Sequence, residues 1–122
     1  ESCGVAYNSV VEGAPFRFAY MAVVHWLPAE NAIGNSYCTD TTTAHEIGHI
    51  LGSMHERRIA EQGDSGAYPF SFGHYSQGVF HTIMSYGNEP EIAVFSNPNI
   101  NECAGQACGL AEDDPESADA LR

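Results

Sequence analysis

The string H-E-I-G-H-I-L-G-S-M-H, running from His45 to His55, constrains this chain more than any other feature. His45 and His49 are four residues apart, so on a helix they share one face, about 40° apart around the axis. Two neutral imidazoles so placed can hold one Zn²⁺, with Glu46 beside the metal and not on it. Gly52 ends the helix or lets the chain leave it, because glycine enters left-handed backbone without a Cβ penalty. His55 then returns as a third ligand, and a fourth position stays open for water, as catalytic zinc requires. A bare H-E-x-x-H also occurs by chance or as a solvated helix face. Five fixed letters in order are far more specific.

The surrounding residues support a helix independently. Ile47, Ile50, Leu51 and Met54 fall opposite His45 and His49, which predicts one face packed into a core and one carrying the metal. Asp40, Thr41 and Thr42 are N-cap candidates, and the motif helix is expected from about Thr41 to His55.

The remaining chain bounds the context. At 122 residues it is at most one small domain with one modest core. Its net charge is −12, with sixteen acidic residues against four arginines and no lysine. Glu112, Asp113, Asp114, Glu116 and Asp119 crowd the C-terminal end. Such a chain repels phosphate backbones, which argues against nucleic acid as a partner. Solubility accounts for the charge, and no substrate preference follows from it. No apolar run approaches the length of a membrane span. The chain opens at Glu1 with no signal-peptide pattern, so any targeting segment is expected to lie outside it.

Cys3, Cys38, Cys103 and Cys108 allow three pairings, and none has the close spacing of a zinc or redox motif. Two disulfides in an oxidising compartment are the preferred reading, paired Cys3–Cys38 and Cys103–Cys108. Loop entropy assigns them about 4 and about 2 kcal/mol. The alternative is four buried free thiols in a cytosolic protein.

Along the chain, C-G-V-A-Y is short, apolar and β-prone, and Phe16 to Trp26 reads as a strand with two largely apolar faces. Gln62 to Gly78 suits an ordered aromatic loop. Phe80 to Tyr86 leads into a tight turn at Gly87, and Ile92 to Phe95 is a brief extended piece. The tail from Glu112 reads as a helix start, with Pro115 in its first turn and Ala118 and Leu121 facing inward.

H-E-I-G-H-I-L-G-S-M-H, followed about thirty residues on by T-I-M-S-Y-G, resembles the metzincin zinc endopeptidases, a clan with this histidine motif and a methionine turn beneath the metal. Met84 matches that methionine. C-G-V-A-Y, A-Y-P-F-S-F-G, T-I-M-S-Y and F-S-N-P-N are similar to the bacterial secreted, reprolysin-like (adamalysin-related) group. Two features differ: Glu56 stands where the adamalysin branch has Asp, and Tyr86 follows the turn methionine by two residues. Both look like the astacin branch, where that tyrosine can serve as an extra zinc ligand and stabilise the oxyanion. A buried aromatic packing near the turn is the alternative for Tyr86.

The resemblance implies an α+β, zincin-like catalytic domain over residues 1–122. Edge strand, zinc-binding helix, methionine turn and C-terminal helix are expected, and much of the N-terminal sheet of the clan is missing. It further implies a secreted endopeptidase with one Zn²⁺ on His45, His49 and His55, acting on protein or peptide substrates through an activated water. Glu46 would be the general base. Phe16 to His25 would pair with extended substrate, and Gly87 to Phe95 would line the S1′ side. Met84 would form an apolar floor without binding metal. His25, His74 and His81 read as structural residues. A silent zinc- or peptide-binding module of the same fold is the competing function. A structural zinc domain is disfavoured, since such sites are closed by four protein ligands.

Overall fold

A computed structural model describes residues 4–6, 21–23, 41–60 and 66–120 of the chain. The β-prone segment near the N-terminus forms β1, Gly4–Ala6, which pairs antiparallel with β2, Met21–Val23, in the register Val5 opposite Ala22. The rest of the expected strand Phe16 to Trp26 lies outside the described residues. Helix α1, Thr42–Ile50, rests against both strands.

The helix is shorter than its sequence suggested. Gly52 takes φ 96°, its N–H donates to the His49 carbonyl, and the Ser53 N–H donates to Gly48, both at 2.9 Å. This is the paired C-terminal closure that glycine permits just past a helix end. His55 is therefore placed by a non-helical segment. At the other end Thr41 occupies the N-cap without capping, because its hydroxyl instead donates to Glu91 Oε1 at 2.5 Å. Asp40 lies outside the described residues.

The apolar face expected on the helix is not the buried one. Ile47 and Leu51 are 40% and 57% exposed, and Ile50 and Met54 are half-buried, whereas Thr42, His45, Glu46 and Gly48 are buried. The cause is close approach on the histidine side. A Cβ on Gly48 would lie 2.3 Å from Met84 Sδ and 2.9 Å from Phe95 Cε1, and one on Gly4 would meet Glu46 Oε1 at 2.4 Å.

A second sheet follows in the order β3–β4–β5: Tyr75–Ser76, Phe80–Thr82 and Glu91–Ile92, with β3/β4 antiparallel and β4/β5 parallel. Around it lie two apolar clusters. One gathers Phe80 and the Cys103–Cys108 disulfide with Ile92 and Val94; the other gathers Ile83, Met84 and Ala120 with Ala44 and Phe95. Cys3 and Cys38 lie outside the described residues.

The aromatic loop is ordered and non-helical over its described part, with Phe70 and Phe72 buried and the Tyr68 and Phe70 rings stacked. The tail departs from the expected helix. No helix forms over the described residues after Glu112; turns carry the chain to a bridge between Leu110 and Ala118, bonded both ways at 3.0 and 2.9 Å. Asp114 Oδ1 accepts the Glu116 N–H at 2.8 Å, a local turn that competes with helix, and Pro115 has no N–H to contribute. Ala118 is buried as expected, and Leu121 lies outside the described residues.

Candidate metal centre

Helix α1 presents His45 and His49 on one side, and the chain returning through Ser53 and Met54 brings His55 to them. The return is pinned by pairing: Met54 N–H donates to the Ser71 carbonyl at 2.8 Å, and Gly73 N–H donates to the Met54 carbonyl at 3.0 Å. Residue 54 thus forms a parallel bridge with Phe72. The aromatic loop therefore sets the third histidine, a role its composition did not disclose.

The three Nε2 atoms converge. His55 Nε2 is 3.0 Å from His45 Nε2 and 3.1 Å from His49 Nε2. His45 Nδ1 donates to the Ile83 carbonyl at 2.7 Å, and His49 Nδ1 donates to the Ser53 carbonyl at 2.9 Å. A carbonyl oxygen only accepts, so both rings carry their proton on Nδ1 and turn an Nε2 lone pair to the centre. One N–H on His55 cannot satisfy both lone pairs, whereas a cation can. Tetrahedral ligands about 2.0–2.1 Å from zinc stand roughly 3.3–3.4 Å apart, within a few tenths of an ångström of the spacing seen here. The donor set fits zinc. Among the described residues these histidines form a group able to hold a metal ion.

Burial pushes the pKa of His45 and of His49 below the usual imidazole value, which favours the neutral form that can ligate. Burial also raises the Glu46 carboxyl. Met84, fully buried, lies beneath the helix at Gly48, and its carbonyl side presses on Gly73, where a Cβ would stand 2.5 Å from Met84 O. The Tyr86 hydroxyl is 3.0 Å from His45 Nε2, and its ring centroid is 4.8 Å from that of His55. Half its surface is exposed, yet desolvation of its hydroxyl end, with the charges of Glu46, Glu56 and Glu91, pushes its pKa up to about 12.

His74 and His81 stay apart from this group and are buried. His74 sits edge-on to Phe80, and His81 Nδ1 contacts the Thr82 carbonyl at 3.3 Å. His25 lies outside the described residues.

The family described as Metallo-peptidase family M12B Reprolysin-like matches residues 23–114. The chain belongs to the reprolysin-like metallopeptidases. The matched span includes A-Y-P-F-S-F-G, T-I-M-S-Y and F-S-N-P-N, while C-G-V-A-Y lies before it. Among curated proteins, the Peptidyl-Asp metalloendopeptidase of Pseudomonas aeruginosa is 36% identical over 99 residues, covering 70% of this chain. The chain spans 16% of that protein's length. No solved structure matches the chain.

Proposed function

We propose that this reprolysin-like chain carries the metal-binding part of a zinc-dependent endopeptidase catalytic domain, residues 1–122 forming one partial domain. The convergence of three histidine Nε2 atoms beside the buried Glu46 carries the reading. His45, His49 and His55 would hold the ion. Zinc, when bound there, supplies a Lewis acid that polarises a peptide carbonyl and acidifies water.

The chain's own residues account for the proton traffic. Glu46 accepts a proton from the attacking water and returns it to the leaving amine, and its burial raises its proton affinity toward the range a general base needs. The Tyr86 hydroxyl, protonated at any physiological pH, is a donor for charge developing on the carbonyl oxygen. Met84 fixes the height of the helix beneath the histidines without touching metal. Protein or peptide substrates follow from the family. The disulfide Cys103–Cys108 supports an oxidising, extracellular setting. No helix among the described residues is long and apolar enough to cross a membrane.

The test pairs metal content with cleavage. Parent protein and Glu46→Gln are compared for bound zinc and for hydrolysis of quenched peptides, including sets with and without Asp, the residue in the relative's name. One zinc in each, with cleavage in the parent alone, is the expected result. Zinc in both and cleavage in neither would instead favour the silent binding module.

A further inference from the structure

Tyr86 leaves the methionine turn next to the exposed Gly87 and Asn88, in no regular element, yet its phenol is held at the histidines. Its main chain is gripped on both sides. The Tyr86 N–H donates to Glu56 Oε2 at 3.0 Å, and Arg58 Nη2 donates to the Tyr86 carbonyl. The two gripping residues also hold each other, with Arg58 Nε and Glu56 Oε1 3.0 Å apart and the Glu56 carboxylate buried. The Arg58 Cζ lies over the Tyr75 ring, 3.6 Å from its centre. Tyr75 in turn donates its hydroxyl to Glu89 Oε1 at 2.6 Å, and Glu89 also accepts the Gly78 N–H at 3.0 Å. The ring is pressed onto the peptide after Tyr86: a Cβ on Gly87 would stand 2.8 Å from Tyr75 Cε2.

We propose that Arg58, seated on Tyr75 and paired with Glu56, is a positioning residue that fixes the Tyr86 phenol over the histidine triad. The inference rests on the triad being a metal site only for its effect on turnover; the placement of the phenol is independent of it. A planar fork is needed here. One edge meets a carboxylate and a carbonyl while the face stacks on an aromatic ring, which a lysine ammonium cannot reproduce. Glu56 directly follows His55 and Arg58 comes two residues after Glu56, so one short segment ties the third histidine and the phenol to a common frame.

The experiment labels the protein, as it is naturally made, with 3-fluorotyrosine and follows the ¹⁹F resonance missing from Tyr86→Phe. Arg58→Gln is expected to broaden or split that line and to at least halve its displacement on zinc addition, with one zinc still bound. Arg58→Lys is expected not to restore it. Tyr75→Leu, which leaves Glu56 and Arg58 in place, is expected to produce a smaller change of the same kind and stands in if Arg58→Gln does not fold. In peptide hydrolysis Arg58→Gln is expected to lower kcat about tenfold with KM held, and to have no further effect in a Tyr86→Phe background. An unchanged Tyr86 line in Arg58→Gln and Tyr75→Leu, or equal effects on kcat with and without the Tyr86 hydroxyl, would overturn the proposal. If the parent binds no zinc the metal reading fails, and the metal-free line shape still decides the clamp.

Discussion

Replacing Gly48 by alanine is the sharpest probe of the packing beneath the histidines. At an unconstrained helix position the exchange would stabilise by about 1 kcal/mol, since glycine is the poorer helix former. Here the new Cβ would stand 2.3 Å from Met84 Sδ and 2.9 Å from Phe95 Cε1, both well inside van der Waals contact. Met84 is fully buried and cannot swing into solvent. Overpacking of this kind costs about 1–3 kcal/mol. The net expectation is a loss of about 1 kcal/mol, read as a fall in the urea midpoint at constant slope. The sign should reverse once the methionine is shortened. Met84→Ala alone loses about 2–5 kcal/mol by leaving a cavity, and adding Gly48→Ala to it should recover about 1 kcal/mol. The two sites therefore couple by about 1–3 kcal/mol. If Gly48→Ala stabilises the parent as much as it stabilises Met84→Ala, the methionine is not seated on that glycine and the account of the floor is wrong.

Gly52→Ala forces a residue with a Cβ into φ 96° at the closure of α1, and a loss of about 1–2 kcal/mol with weaker zinc retention against a chelator is expected; unchanged retention would separate that closure from the placement of His55. Removing the Cys103–Cys108 link with paired alanines should lower stability by about 2 kcal/mol for so short a loop, seen by urea titration, and no loss would mean the surrounding core alone holds the segment. Burial holds the His74 pKa below its unfolded value of 6.5, so the unfolded chain binds the extra proton first as pH falls. Its contribution is complete above about pH 6.5 and is lost between that value and the lower folded one. His74→Leu should flatten stability against pH across that window, and an unchanged slope would assign the acid limb to other groups.

What the sequence disclosed was local. Histidine spacing, the glycine after the helix and the methionine in T-I-M-S-Y-G are short-range patterns, and each describes geometry within a few residues. Helical periodicity placed Ile47 and Leu51 inside because it assumes that the apolar side meets the core. It does not know that Gly48 lets a methionine and a phenylalanine approach the opposite side. The tail read as helix from Pro115 and its alanines, but Asp114 bonds its own turn and Leu110 captures Ala118 as a strand neighbour. Long-range partners were the least legible. Nothing near His55 announces that Ser71 and Gly73 would bond Met54, or that Arg58 would reach the carbonyl of Tyr86.

The pairing of Met54 with Phe72 gives the metal site a thermodynamic character that its motif conceals. Two of the three donors belong to one helical turn and are available as soon as that helix forms. The third arrives only when a stretch of chain has closed on itself and two backbone bonds have locked it. On the proposed reading, ion affinity then includes the entropy of closing that loop, and ion and loop stabilise each other by the same free energy. Occupancy of the centre becomes a gauge of tertiary order some distance away, so lesions in the aromatic segment should register as lost metal before they register as lost helix.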